Sequence, residues 1–300
     1  MKISIFFGLV VLLSACGSKE ERFDKEFKAP NMLAVDHSFQ PYIKTAYESF
    51  EPTTNRGKMV LNVVSETEAR NLMARGKANS LVGSMPFSKK DSLEYVKANR
   101  PLRSYLIAHD ALVFVINKKN PDSLLSENQI LDILSGKLTT WPINKQNIEV
   151  AFDDVQSANF NYFKTNHPKL QFAENINAAG NSKKALEYLN KNEAAMAILG
   201  YNLFSDLDDP KVQELLKKCT IISVSPKSTK VYWKPNKPNI QAEKYPFRRP
   251  IYYHVVGTPI SVDQHFADFL LSRAGQLLVE KCELIQGKIT SREINITIQE

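Results

Sequence analysis

The sequence predicts an α/β fold, on three observations. Short β-branched runs alternate with stretches whose apolar residues recur at helical spacing, a serine recurs where strands give way to helices, and 43% hydrophobic residues are enough for substantial cores. In chain order, strand Leu33–Val35 leads to helix Pro41–Phe50, Met59–Val64 to Glu66–Arg75, and Ser80–Val82 to Lys89–Ala98. Tyr105–Ala108 and Ala111–Ile116 follow as apolar segments, then a helix at Glu127–Leu134. Ser126 with Gln129 forms a capping box at its start, and Ser135-Gly136 is its stop. Ile148–Phe152 leads to Ala158–Thr165, Ser182–Lys191 precedes Met196–Leu199, Pro210–Lys217 precedes Ile221–Val224, and Ile251–Val256 leads to Val262–Ser272.

The first residues are of another kind. Lys2 leads an apolar run from Ile3 to Leu13 that ends in Leu13-Ser14-Ala15-Cys16. That run is shorter than the roughly 20 residues a membrane-spanning helix needs, and it has the charged start and small-residue end of a secretory signal. The ending resembles the lipobox of bacterial lipoproteins, which implies a signal at residues 1–15 and a lipid-modified Cys16. Residues 16–28 then carry almost no apolar material and read as a solvated tether. Lys19-Glu20-Glu21 resembles a lipoprotein sorting signal for the outer membrane, and position 17 is not Asp; the side faced stays open.

The formal charge is +7, but lysines are scattered among acidic residues, as on a solvated surface and unlike a nucleic-acid stripe. Besides Cys16 there are only Cys219 and Cys282, which would either pair in an oxidising compartment or remain buried thiols. No CxxC, HExxH, GxSxG or P-loop spacing occurs, so no metal, cofactor or catalytic centre is expected. His37, His109, His167, His254 and His265 are far apart in sequence, and only His37, beside Asp36, stands next to a candidate site. Tyr42, Tyr47, Phe50 and Phe269 lie at helical spacing and read as core.

Two segments read as crossings between lobes. Leu106 to Ile116 is apolar except for His109-Asp110 and is long for one strand, so two strands in sequence are expected. Ser225 to Pro250 holds five prolines and little periodicity, as a functional or connecting segment does. Residues 29–108 with 244–300 therefore form one lobe, with 109–243 inserted as the second. One of Arg248 and Arg249 is expected to pin the return crossing.

The serine junctions are the candidate site. Ser38 and Phe39 follow the first strand, Ser65 the second and Ser84 the third, while Ser157 and Asn159 follow a strand of the inserted lobe. A helix start offers unsatisfied N–H groups and partial positive charge, so several converging starts with hydroxyls make an anion cradle. Each serine taken alone is equally a plain helix cap.

At this point the chain resembles a known family. Asp36-His37-Ser38-Phe39-Gln40-Pro41, Ile107-Ala108-His109-Asp110-Ala111, Asn120-Pro121, Gln129 to Lys137, Trp141, Tyr245-Pro246-Phe247-Arg248-Arg249-Pro250 and Gly275-Gln276 look like the PstS-like phosphate-binding proteins of ABC importers. The resemblance implies a two-lobed, type II periplasmic-binding-protein fold that closes on a small oxyanion and delivers it to a permease, with Ser38, Phe39, Ser65, Ser84, Ser157 and Asn159 as ligand contacts. The chain departs from the family where phosphate should sit. Asp153 stands in place of an arginine, Ser157-Ala158-Asn159 in place of Ser-Gly-Thr, and Met85 in place of a charged residue. A carboxylate about 4 Å from an anion costs on the order of 4 kcal/mol at an effective dielectric near 20, roughly a thousandfold in affinity. The function expected first is a lipid-anchored solute-binding protein that takes a small oxyanion for an ABC importer; the alternative is the same fold kept as a non-transporting module of an envelope complex.

Overall fold

The computed structural model describes residues 31–227 and 229–287. The expected signal, the lipidated Cys16, the tether and residues 288–300 of the expected first lobe lie outside the described residues. Twelve strands are present among the described residues: β1 Asn31–Asp36, β2 Met59–Val64, β3 Ser80–Gly83, β4 Leu102–Asn117, β5 Leu124–Ser126, β6 Glu149–Phe152, β7 Ile176–Ala178, β8 Ala195–Gly200, β9 Cys219–Ile221, β10 Ser223–Ser225, β11 Arg248–Val256 and β12 Ile285–Gln286. The helices are α1 Gln40–Phe50, α2 Glu66–Ala74, α3 Lys89–Lys97, α4 Glu127–Leu134, α5 Ala158–Asn166, α6 Ser182–Lys191, α7 Pro210–Lys218, α8 Lys237–Gln241, α9 Val262–Leu271 and α10 Arg273–Lys281. The α/β class and its two-lobed arrangement stand.

The main sheet runs β2-β1-β3-β11-β4-β8-β6-β7. Its parallel outer pairs, β1 with β2 and β3 on one side and β6 with β7 and β8 on the other, are each completed by helical crossovers. Between them, β4 serves both halves. Its first part pairs antiparallel with β11 and its last part with β8 and β9. The apolar stretch read as two strands is thus one strand of 16 residues, because successive partners take up its edges along its length. Ile221–Val224 departs the other way. Ile222 breaks it into β9, on β4, and β10, which pairs with β5.

Short elements escaped the sequence reading for want of a period. β5, β7 and β12 have only two or three residues each, α8 has five, and α10 follows α9 after a single Ser272 that serves as its cap. Capping is as expected elsewhere. Ser126 and Gln129 form a capping box, and Gly136 takes a positive φ of 74° at the helix stop. The aromatic core joins both halves: Phe114 meets Phe247 edge-on, Phe152 meets Phe160 and Phe163, and Phe50 packs on Phe266 and Phe269. Cys219 and Cys282 are free thiols, and Cys219 is buried. Among the described residues no helix is long and apolar enough to cross a membrane.

Candidate functional site

The site grows from the loop after β1. Asp36 ends that strand, and its side chain folds back as an N-cap on the short 3-10 turn His37–Phe39. Its Oδ1 accepts from the Ser38 backbone N–H at 2.9 Å and from the Ser38 hydroxyl at 2.5 Å. Its Oδ2 accepts two further bonds, from the Glu66 N–H at 2.8 Å and the Ala158 N–H at 2.9 Å. Those two groups are the first N–H of α2 and of α5, helices that belong to opposite halves of the sheet. One carboxylate oxygen therefore sits where two helix starts from the two halves meet, a position suited to an oxyanion.

The neighbouring donors are met in the same way. Glu66, fully buried, accepts from the Ser84 and Met85 N–H groups at 2.5 and 2.8 Å. Gly83 makes room for it, since a Cβ there would clash with the Glu66 carboxylate. Asp153 turns inward and accepts from the Ser157 hydroxyl at 2.6 Å, the Asp154 N–H at 2.9 Å and the Asn159 amide at 2.8 Å. Burial, then the nearby Asp36, raises the Glu66 carboxyl above its ordinary range and lifts Asp153 to about 7.

A single buried arginine holds the centre. Arg249 donates from Nη1 to Asn159 Oδ1 at 2.7 Å and from Nη2 to Asp110 Oδ2 at 2.8 Å, and it lies over the Phe39 ring at 4.6 Å. Both charged side chains of the Arg249–Asp110 pair are fully buried. Gly200 allows their approach, because a Cβ there would fall 2.7 Å from Arg249 Nη2. Burial raises the Asp110 carboxyl above its ordinary range, and Arg249 offsets only part of the rise. Asp110 also accepts from the Asn202 N–H at 3.0 Å, while Asn202 donates to the Ser38 carbonyl at 2.6 Å and accepts from the Tyr42 N–H at 3.1 Å. The Thr67 N–H donates to the Gln156 carbonyl at 3.1 Å, a second tie between the β1–β3 half and the β6–β8 half.

The structure brings the predicted serines together through carboxylates of the chain itself. Asp36 joins the Ser38 turn to the helices capped by Ser65 and Ser157, and Glu66 joins the Ser84 loop to them. Ser38, Ser65, Ser84, Ser157, Asn159 and Phe39 are all buried. Asn159 sits between Asp153 and Arg249, and Phe39 packs beneath the guanidinium. His37 lines a cavity of about 290 Å³ beside Ser38, with Ser182, Lys183 and Gly200 among the other residues of its wall. Asp36, Glu66, Asp110 and Asn202 are central, and the sequence reading assigned none of them to the site. Asp36 carried a usable signal, an Asx cap two residues before Ser38; Glu66 had none, since acidic residues are ordinary in a first helical turn. Among the described residues no group of His, Cys, Asp and Glu is arranged to hold a metal ion.

With this geometry in view, comparison with known proteins places the fold. A family model described as the PBP superfamily domain matches residues 29–274, and the chain belongs to that superfamily. No curated protein matches the chain. Among solved structures, it is similar to a phosphate ABC transporter substrate-binding protein with bound phosphate from Clostridium perfringens, at 20% identity and a TM-score of 0.66, covering 86% of this chain and 99% of that one. It is also similar to an ABC-type phosphate transport receptor from Vibrio cholerae, at 17% identity and a TM-score of 0.63, covering 86% and 100%. The regulatory domain of a LysR family regulator from N. meningitidis shares the fold too, at 11% identity and a TM-score of 0.53, covering 86% and 99%. At these identities the likeness is one of fold, which serves both solute receptors and regulatory domains.

Proposed function

We propose that this PBP-superfamily chain is a non-catalytic, extracytoplasmic module of the cell envelope whose cleft is closed by its own carboxylate and which works through its surface on a protein partner. The observation that carries the reading is the seat of Asp36. Its Oδ2 takes the first N–H of α2 and of α5 together, so the position a small oxyanion would claim is held by a tethered one. A free phosphate would have to displace that tethered carboxylate, at a cost of several kcal/mol. Cys16 is the expected site of a lipid that anchors the module, in our reading to the outer membrane.

A second reading keeps the solute-receptor role, in which the cleft binds a phosphate-like oxyanion for an ABC permease. The convergence of two helix starts on one oxygen favours it, as does the shared fold with the Clostridium perfringens and Vibrio cholerae proteins. Calorimetric titration with phosphate separates the two. The module reading expects no saturable binding to the native chain at millimolar phosphate and measurable binding to Asp36→Gly, whose amides are freed. Micromolar binding to the native chain establishes the receptor reading instead. Partner capture from detergent-solubilised membranes without added solute is the complementary test, and a stable partner is expected.

A further inference from the structure

We propose that a second cavity, on the crossing strands outside the carboxylate-filled cleft, binds a small carboxylate that also carries a hydrogen-bond donor, such as a hydroxy or amino acid. The cavity, of about 400 Å³, is walled by His109 of β4, Arg248 of β11, Gln286 of β12, Lys237 and Gln241 of α8, and Glu280 of α10. That volume lies within the range of small-molecule sites.

Three features assign it a ligand of that class. First, two residues of its wall carry buried polar atoms without a hydrogen-bond partner among the described residues: His109 Nδ1 and Arg248 Nε, both shielded from solvent. A buried polar atom left unpaired costs about 1–3 kcal/mol, a cost removed if the two wall side chains turn towards a ligand oxygen. Secondly, its charges are of both signs but unequal. Lys237 and Arg248 outnumber Glu280 on the wall; among the described residues Lys237 Nζ donates to the Glu280 carbonyl at 3.4 Å, and Arg248 Nη1 pairs outward with the exposed Glu243 at 2.5 Å. A carboxylate answers the two cations, and a hydroxyl or ammonium answers Glu280. Burial and the Arg248 charge hold the His109 imidazole down to about 4, so at neutral pH it acts as a neutral hydrogen-bonding group.

Thirdly, the wall unites segments far apart in sequence at a mechanically central place. His109 pairs with Pro250 of β11 on one side and with Ile285 of β12 on the other, on the very strand that both halves of the sheet share. An occupant would brace three strands against α8 and α10 at once, which makes this a site able to set how the two halves are held.

The test is calorimetric titration of the full chain with L-lactate and L-serine, with acetate as the ligand that lacks a donor. Lactate or serine should bind saturably and at least ten times more tightly than acetate. Arg248→Gln and Lys237→Gln should each weaken binding about tenfold, and Lys44→Gln, exposed on α1 away from the cavity, should leave it unchanged. Two variants on different elements guard against one that fails to fold, as does a melting curve for each. No saturable heat from either probe up to tens of millimolar, or native affinity retained in both wall variants, overturns the proposal.

Discussion

The cleft corner and the outer face of the crossing strands are built from similar materials and come to opposite ends. In the cleft, the amides at the starts of α2 and α5, at Ser84 and Met85, and at Asp154 are answered by Asp36, Glu66 and Asp153. On the outer face, His109 Nδ1 and Arg248 Nε meet no answering group among the described residues. In the cleft each amide has a carboxylate one side chain away, whereas on the outer face the carboxylates of Glu280 and Glu243 leave His109 Nδ1 and Arg248 Nε without a partner among the described residues. The adjacent arginines divide in the same way: Arg249 is committed to Asp110 and Asn159 inside, whereas Arg248 faces the cavity and an exposed partner.

Breaking the inner arginine should have the largest effect. Arg249→Met leaves Asp110 buried without its cation and strips Asn159 of a donor, and loss of about 3–5 kcal/mol of stability is expected in denaturant titration. Arg248→Met, with its partly exposed pair to Glu243, should cost under about 1 kcal/mol, and equal losses at the two positions would erase the contrast. An effect between those two is expected at Gly200. An added Cβ would fall 2.7 Å from the Arg249 guanidinium, so Gly200→Ala should cost about 1–3 kcal/mol. Gly57, which has open space around it but a φ of 103°, should pay only the backbone strain.

Asp153, raised to about 7 by burial and by Asp36, holds a proton in the folded chain that the unfolded chain releases near the ordinary carboxylate value of 3.8. Its contribution to stability is present at low pH and is lost as pH rises through about 7. His109 and His254, held down to about 4 and about 3 by burial, act with the opposite sign below 6.5, so the informative quantity is the native chain against Asp153→Asn. The native melting temperature should fall relative to that of the variant between pH 4 and pH 7, and parallel curves would contradict the assignment.

Much of the framework was legible because it rests on local patterns. Serine caps, the Ser126–Gln129 box and β-branched runs mark elements within a few residues, and the long apolar stretch with His109-Asp110 marked the crossing strand. The serine corners were legible as a set for the same reason. What fills them was not: Asp36 reaches Ala158 across 122 positions, and Arg249 reaches Asp110 across 139. Such pairings are made by the topology of β4 and β11, and single-residue chemistry does not announce them. Asp153 shows the boundary well. Its departure from the family pattern was visible in the sequence, while its inward turn onto Ser157 and Asn159 needed coordinates.

The most direct test of a self-closed cleft is the solution shape of the chain by small-angle X-ray scattering, with and without phosphate. A tethered carboxylate that already bridges α2 and α5 predicts the same radius of gyration in both conditions, matching the closed structure, and an expanded one for Asp36→Gly until phosphate is added. Contraction of the native chain on adding phosphate would contradict the account, because it would mean that the cleft stands open and waits for its solute.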